Sequence, residues 1–257
     1  MIRGLYTAAS GMIVQQKRQE NTSNNIANIE TPSFKRQSLI VEARDSLGVI
    51  KRNCGENTTI GTIEMGVEID GTVMDFSQGL LRETGLHGDL AIDGQGYFIT
   101  ELPSGQTAYT RSGSVRRDTE GILRNAEGFC ICGEKASGGR VEPIKIETEE
   151  FTVDGEGNII DDDGKRIYKI VLADFEDLSL LKEDEAGVLV LPEGEEDNEI
   201  SAKNARIVSG MKEASNVNAL DEMVKLMEIS RSFESNQRIL QSLDETLGKA
   251  VNELGKL

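Results

Sequence analysis

The stretch NTSNNIANIETPSFK, Asn21 to Lys35, decides how this chain is read. Asparagine is a mediocre helix former because its amide competes for nearby backbone groups. Pro32 removes a backbone donor and pushes Thr31 out of the helical region. The stretch therefore ends a helix, and it does so after a polar, hydrogen-bonding surface. Upstream, Ile2, Leu5, Ala9, Met12, Gln16, Gln19, Ser23 and Ile26 recur at alternating steps of three and four. That is a coiled-coil spacing, apolar in its first half and polar in its second.

The other end of the chain repeats the spacing more strongly. Met223, Leu226, Ser230, Phe233, Gln237, Leu240, Asp244, Leu247, Val251 and Leu254 form one stripe; Ile239, Leu243 and Ala250 widen it. Val217, Leu220, Val224 and Met227 add a second apolar edge. Asn218 is placed to cap this helix, with Asp221 and Glu222 favourable to its dipole in the first turn. A helix from Asn218 to Leu254 is roughly 55 Å long at 1.5 Å per residue. A small domain cannot cover such a length, so the helix needs partners.

Between the helices the sequence is β-like. DLAIDGQGYFIT, Asp89 to Thr100, alternates around Gly94 and Gly96 and reads as strand, turn, strand. Asp118, Gly121, Asn125 and Gly128 recur 36 positions later as Asp154, Gly157, Asp161 and Gly164. Asp or Asn opening a turn and Gly supplying positive φ predict consecutive tight hairpins in both places. YKIVLADFED, from Tyr168, reads as a strand followed by an acidic loop, and PEGEEDNE, from Pro192, as a solvated charged loop. Residues 37–85 carry only scattered β-like positions such as Val67, Ile69 and Val73.

Composition narrows the function. Of 257 residues 37% are hydrophobic and 4% aromatic, with 27 glycines, which suits a turn-rich β protein with accessory helices. The net charge is −17, yet residues 1–36 hold five basic and two acidic residues and 217–257 hold five and seven. The acidity belongs to the middle, which argues against nucleic acid and anionic lipid as partners. No run reaches the length of a membrane span. The start, MIRGLYTAASGM, is expected to be helix and not a cleaved secretory leader, so export is expected by another route.

The chemistry of catalysis is sparse. His87 is the single histidine and sits between glycines, so no acyl-transfer triad is expected. Counting from Asp154, the sixth residue is Ile159 and the twelfth Lys165, which fails the EF-hand pattern. GQG at Gly94 lacks the third glycine of a dinucleotide loop. Cys54, Cys130 and Cys132 read as free thiols. No enzyme, cofactor or metal is expected.

LYTAASGM followed by NNIANIETPSFK resembles the N-terminal signature of bacterial flagellar axial proteins, through Asn24, Asn25, Ala27, Asn28, Thr31, Phe34 and Lys35. Ser33 stands where that signature usually has glycine. DLAIDGQGYFI and AYTRSGSVRRD look like the family's central motifs, and EASNVNALDEMVKLMEISRSFESNQR, Glu213 to Arg238, resembles its C-terminal signature. Length and the SNVN segment are similar to the hook–basal-body rod proteins, distal or proximal.

The resemblance implies a mainly β central domain with long N- and C-terminal helices pairing as a coiled coil. It divides the chain into a terminal-helix inner domain (1–36 and 214–257), a connecting region (37–85) and a β-rich outer domain (86–213). It implies a structural subunit that self-assembles as a homo-oligomeric helical tube, transmits torque and encloses the export channel. The implied partners are other rod and hook proteins and the flagellar export apparatus, in a periplasm or cell wall, with no membrane insertion. The expected assembly interface is Leu5, Met12, Asn24, Asn25, Asn28, Thr31, Phe34, Lys35, Asn216, Asn218, Met223, Leu226, Phe233, Leu240 and Leu247. The alternative is a wall-associated β binding module whose helices dock on a scaffold.

Overall fold

The computed structural model describes residues 2–44, 46–53, 56–148, 151–161, 164–184, 187–192, 194, 198–202 and 205–254. Cys54 and part of the charged loop from Pro192 lie outside them. Among the described residues no helix is long and apolar enough to cross a membrane. The chain divides into two units: residues 1–29, 35–75 and 217–257, and residues 30–34 and 76–216.

The first unit holds both helices, α1 (Ile2–Ala27) and α2 (Ala219–Leu254). At the end of α1 the Asn28 amide still donates to Asn24, and beyond it Pro32 blocks continuation. Asn218 caps α2, its Oδ1 accepting from the Leu220 amide at 3.0 Å. The helices run antiparallel. A methyl on Gly4 would touch Leu243 at 3.4 Å and one on Gly11 would meet the Asn236 amide at 3.0 Å. Further along, Asn25 bonds Glu222.

Against α1 packs a long antiparallel ribbon. Strands β1 (Gln37–Ala43) and β4 (Val67–Met74) pair from Gln37↔Met74 to Ala43↔Val67. Strands β2 (Leu47–Asn53) and β3 (Glu56–Ile63) pair beyond them. Half-buried Leu39 and Val41 alternate with exposed Ser38, Ile40 and Glu42, as a one-sided ribbon requires. Gly66, at φ 110°, leads into β4 so close to α1 that a methyl there would lie 2.2 Å from Ser10 Oγ. This region, the least readable in the sequence, thus holds four long strands among its described residues.

The expected pairing of long terminal helices as a coiled coil is not what the chain forms. One helix of 26 residues and one of 36 are each a single element, and β1 and β4 take up part of α1's surface. Polar Thr22 and Asn25 on α1 and Glu222 on α2 are buried, where a coiled coil wants apolar residues. The inward stripe of α2 also differs in phase. Leu226, Phe233, Leu240 and Leu247 are half-buried as expected, but the positions between them are Ile229, Asn236 and Leu243, while Gln237, Asp244 and Val251 are exposed. Both lines have steps of three and four; Ile229 and Leu243, being more apolar than Ser230 and Asp244, set the phase.

The second unit is β-rich, as expected for the middle of the chain. Short strand β5 (Leu81–Glu83) pairs with 211–213, and β6 (Leu90–Asp93) pairs with 206–209. Strand β7 (Tyr97–Glu101) pairs instead with β8 (Thr107–Thr110), 130–135 and 172–175. DLAIDGQGYFIT is therefore strand, turn, strand without being a hairpin. The run from Tyr168 breaks at Val171, because 166–170 pairs with 130–135 whereas 172–175 pairs with β7.

The 36-residue repeat is carried through in register. Arg117↔Leu123, Arg116↔Arg124 and Arg124↔Cys130 in the first copy correspond to Val153↔Ile159, Thr152↔Ile160 and Ile160↔Arg166 in the second. Each turn closes with a glycine amide donating back to its Asp or Asn carbonyl, at 2.8–3.1 Å. The last strands of the two copies pair with each other through Gly133↔Ile170 and Glu134↔Lys169, the register of a local two-fold. Leu90, Ile92, Phe98, Leu123, Ile131, Ile144, Ile146 and Ile159 fill the core between these strands. Burial pushes the Cys132 thiol up to about 12, so this cysteine behaves as a core residue and not as a nucleophile.

At one edge of this unit Asp89 is buried and accepts from Thr84 and Ser114, with Lys212 Nζ at 3.1 Å. Burial alone would raise its pKa, but these hydrogen bonds and the lysine outweigh it and hold the carboxyl below its ordinary value. Within residues 30–34, Ser33 has φ 62°, the left-handed region a Cβ disfavours. Ser33→Gly is expected to stabilise the protein by about 1 kcal/mol in urea unfolding.

Candidate assembly site

The first unit combines a buried polar junction with an exposed apolar surface. The junction is centred on Asn25, 1% exposed. The side-chain amide faces the backbone of Gln37, donating to its carbonyl at 2.8 Å and accepting from its amide at 3.0 Å. Asn25 thus imitates a strand residue and fixes where β1 begins on α1. Only an amide side chain offers donor and acceptor together in this way.

Its second hydrogen-bonding direction reaches α2, where Nδ2 lies 3.2 Å from Glu222 Oε2. Glu222 is 2% exposed and fully surrounded. Lys225 Nζ lies 2.5 Å from Oε1 and an Arg36 nitrogen 3.9 Å. Arg36 also faces Asp75 at 3.5 Å, while the Asp75 amide donates to the Arg36 carbonyl at 2.8 Å. The end of α1, the start of β1, the end of β4 and the start of α2 are joined in one polar network. A buried carboxylate is tolerable only when satisfied in this manner.

The presented surface is apolar. On α1, Tyr6 is 62% and Ile13 61% exposed, seven residues apart and so on one face. On α2, Leu220 is 73% exposed, and Met223, Val224 and Met227 are about half exposed. Because the helices are antiparallel, Tyr6 lies beside the later half of α2 and Ile13 beside its middle, whereas Leu220, Val224 and Met227 lie at its beginning. The two patches therefore differ in composition and are offset along the helix pair. Fully burying side chains of this size is worth roughly 1.5–3 kcal/mol each.

Other residues of the expected interface fall in several places. Leu5, Met12, Leu226, Phe233, Leu240 and Leu247 are half-buried in the first unit, and Met223 is on the exposed patch. Asn24 and Asn28 bond each other one turn apart, Nδ2 of Asn28 lying 3.0 Å from the Asn24 carbonyl. Lys35 is buried in the first unit; Thr31 is exposed and Phe34 half-buried in the second. Asn218 is the helix cap, and Asn216 holds Ser77. Sequence reasoning missed Glu222 as a buried partner and read it as a dipole residue. The signal was an acidic side chain in line with Leu226 and Ile229 on the inward stripe. Tyr6 and Ile13 were missed because they fall outside the three-and-four spacing.

Comparisons with known proteins agree with this architecture along the whole chain. Residues 5–35 match the profile of the flagella basal body rod protein family, 91–160 that of the flagellar hook protein FlgE/F/G D1 domain, and 208–253 that of the flagellar basal body rod FlgEFG protein C-terminal region. The chain is 30% identical to the flagellar basal-body rod protein FlgG of Bacillus subtilis, over 98% of this chain and 99% of that protein. It is likewise 30% identical to the basal-body rod protein FlgF of Caulobacter vibrioides and to the hook-basal body complex protein FlhO of Bacillus subtilis, over the full length of each. These end-to-end matches replace the wall-binding alternative. With rod profiles at both helices, a hook-type profile in the β unit and end-to-end relatives among rod proteins, the chain belongs to the flagellar basal-body rod protein family, a family of structural subunits.

Proposed function

We propose that this rod subunit assembles by repeating one head-to-tail contact, in which the Leu220–Val224–Met227 patch of one copy receives the Tyr6–Ile13 face of the next. The observation that carries this reading is that the two exposed patches differ and are offset along the helix pair. A contact between unlike surfaces is heterologous, and one that does not close on itself propagates as a filament. The unit of residues 1–29, 35–75 and 217–257 lines the tube. Torque and the export channel follow from a hollow shaft of this kind.

Its partners are further copies, neighbouring rod and hook proteins and the flagellar export apparatus. The chain travels unfolded through that apparatus to the periplasm or wall. The Asn25 network then forms when α1, the ribbon and α2 come together, so folding and placement of the patches are one event. A photo-cross-linking residue at Val224 tests the contact. The expected product is a ladder of multimers joined to peptides containing Tyr6 or Ile13; a single dimer joined 224 to 224 overturns it.

A further inference from the structure

The chain enters and leaves the β unit through residues 30–34, 76–80 and 213–216. The first and the second are each hydrogen-bonded to the third within that unit. The Ser33 amide donates to the Glu213 carbonyl at 2.9 Å, and the Asn216 amide donates to the Phe34 carbonyl at 3.4 Å. On the other side the Ala214 amide donates to the Leu80 carbonyl at 2.8 Å, and Asn216 Nδ2 donates to Ser77 at 3.1 Å. Residues 213–216 are the middle member of this trio.

Glu213 is the buried carboxylate of these segments. Its side chain is wholly buried, Oε1 accepting from the Gly79 amide at 2.9 Å and Oε2 facing Arg111 at 3.4 Å. The Arg111 guanidinium in turn lies 5.0 Å from the centre of the Tyr97 ring. A buried carboxylate with fixed partners is costly to move, because any displacement leaves charge unpaired in the interior. The packing is close as well: a methyl on Gly79 would come 1.9 Å from the Ala214 carbonyl oxygen.

We propose that Glu213 is a positioning residue that fastens all three segments into a single anchorage, so that a pull on any one is shared by the others. A chain leaving a domain through one segment can turn about its own bonds; three segments hydrogen-bonded side by side cannot do so independently. In a shaft subunit that passes on torque, which is the reading this inference rests on, the anchorage prevents load from peeling one segment from the β unit.

Hydrogen exchange on the full-length chain tests it. In Glu213→Ala the amides of Ser33, Gly79, Ala214 and Asn216 are expected to exchange faster together, by about ten-fold or more, while Phe98 and Ile131 keep their protection. Acceleration of Gly79 alone, the amide that loses its acceptor, overturns the inference. If Phe98 and Ile131 also accelerate, the variant has unfolded globally and Gly79→Ala decides, since it forces residues 79 and 214 apart with Glu213 intact. Joint loss at Ser33 and Asn216 then supports the anchorage; unchanged exchange there contradicts it. Swimming in viscous medium separates the two readings. Rods assembled in normal number with reduced swimming speed uphold the mechanical role. Unchanged speed with joint acceleration of exchange overturns the sharing of load while leaving the rod assignment standing, and absence of the wild-type chain from rods strikes the assignment alone.

Discussion

Asn25→Ala is expected to destabilise the helix–ribbon unit by about 3–5 kcal/mol, measured by urea unfolding followed through helix content. The substitution strands the amide and carbonyl of Gln37, which Asn25 serves at 3.0 and 2.8 Å, and removes a donor from buried Glu222. Each buried backbone group left unsatisfied costs about 1–3 kcal/mol, far more than the lost contact alone. Asn25→Asp is expected to be as damaging, because a second carboxylate would face Glu222 at hydrogen-bonding distance. Asn28→Ala is the contrast: its side chain only reaches back one turn to Asn24, and its loss is expected to cost under about 0.5 kcal/mol. The core amides of the β unit are expected to keep their protection in all three variants. Equal effects at Asn25 and Asn28 would show that the polar network does not organise the unit.

The second large effect concerns assembly. Val224→Asp is expected to leave the isolated chain folded, since Val224 is about half exposed and the inward stripe of α2 is untouched. In the rod the same aspartate would be buried against Tyr6 and Ile13 of the next copy, with no cation provided. A lone carboxylate in an apolar contact is unfavourable by several kcal/mol, so incorporation is expected to fall at least about ten-fold. Gln237→Asp, exposed on α2 outside both patches, is expected to assemble normally. Both variants are judged by circular dichroism for folding and by recovery in purified hook–basal bodies for assembly.

Much of this was legible in the sequence because it rests on local chemistry. Asn218 caps α2 and Pro32 lies just beyond α1, since a cap and a proline act on their immediate neighbours. The turns at Asp118, Asn125, Asp154 and Asp161 formed as read, because Asx–Gly chemistry is decided within a few residues. Ser33, noted as a departure from glycine, has the positive φ that glycine would accept.

What the sequence left undecided was long-range. The heptad-like spacing suggested a coiled coil, yet that spacing also suits a helix pair that shares its faces with a ribbon. The inner positions of β1 and β4 alternate only weakly, so their packing on α1 could not be foreseen. The role of Glu222 depends on Asn25, 197 residues away in the chain. A buried carboxylate and a solvated one look alike until the partners are known. The apolar edge at Leu220, Val224 and Met227 was visible, but the matching face at Tyr6 and Ile13 emerged only once exposure was seen.

The most direct test of the central claim is a mass-spectrometric count of this chain in hook–basal bodies purified from its own cells, wild type beside Val224→Asp. The account predicts wild-type chain at fixed stoichiometry to the other rod proteins and near absence of the variant, with both soluble chains equally folded. Wild type and variant recovered in equal amounts would contradict the proposed contact, and wild-type chain missing from the rods would contradict the role itself.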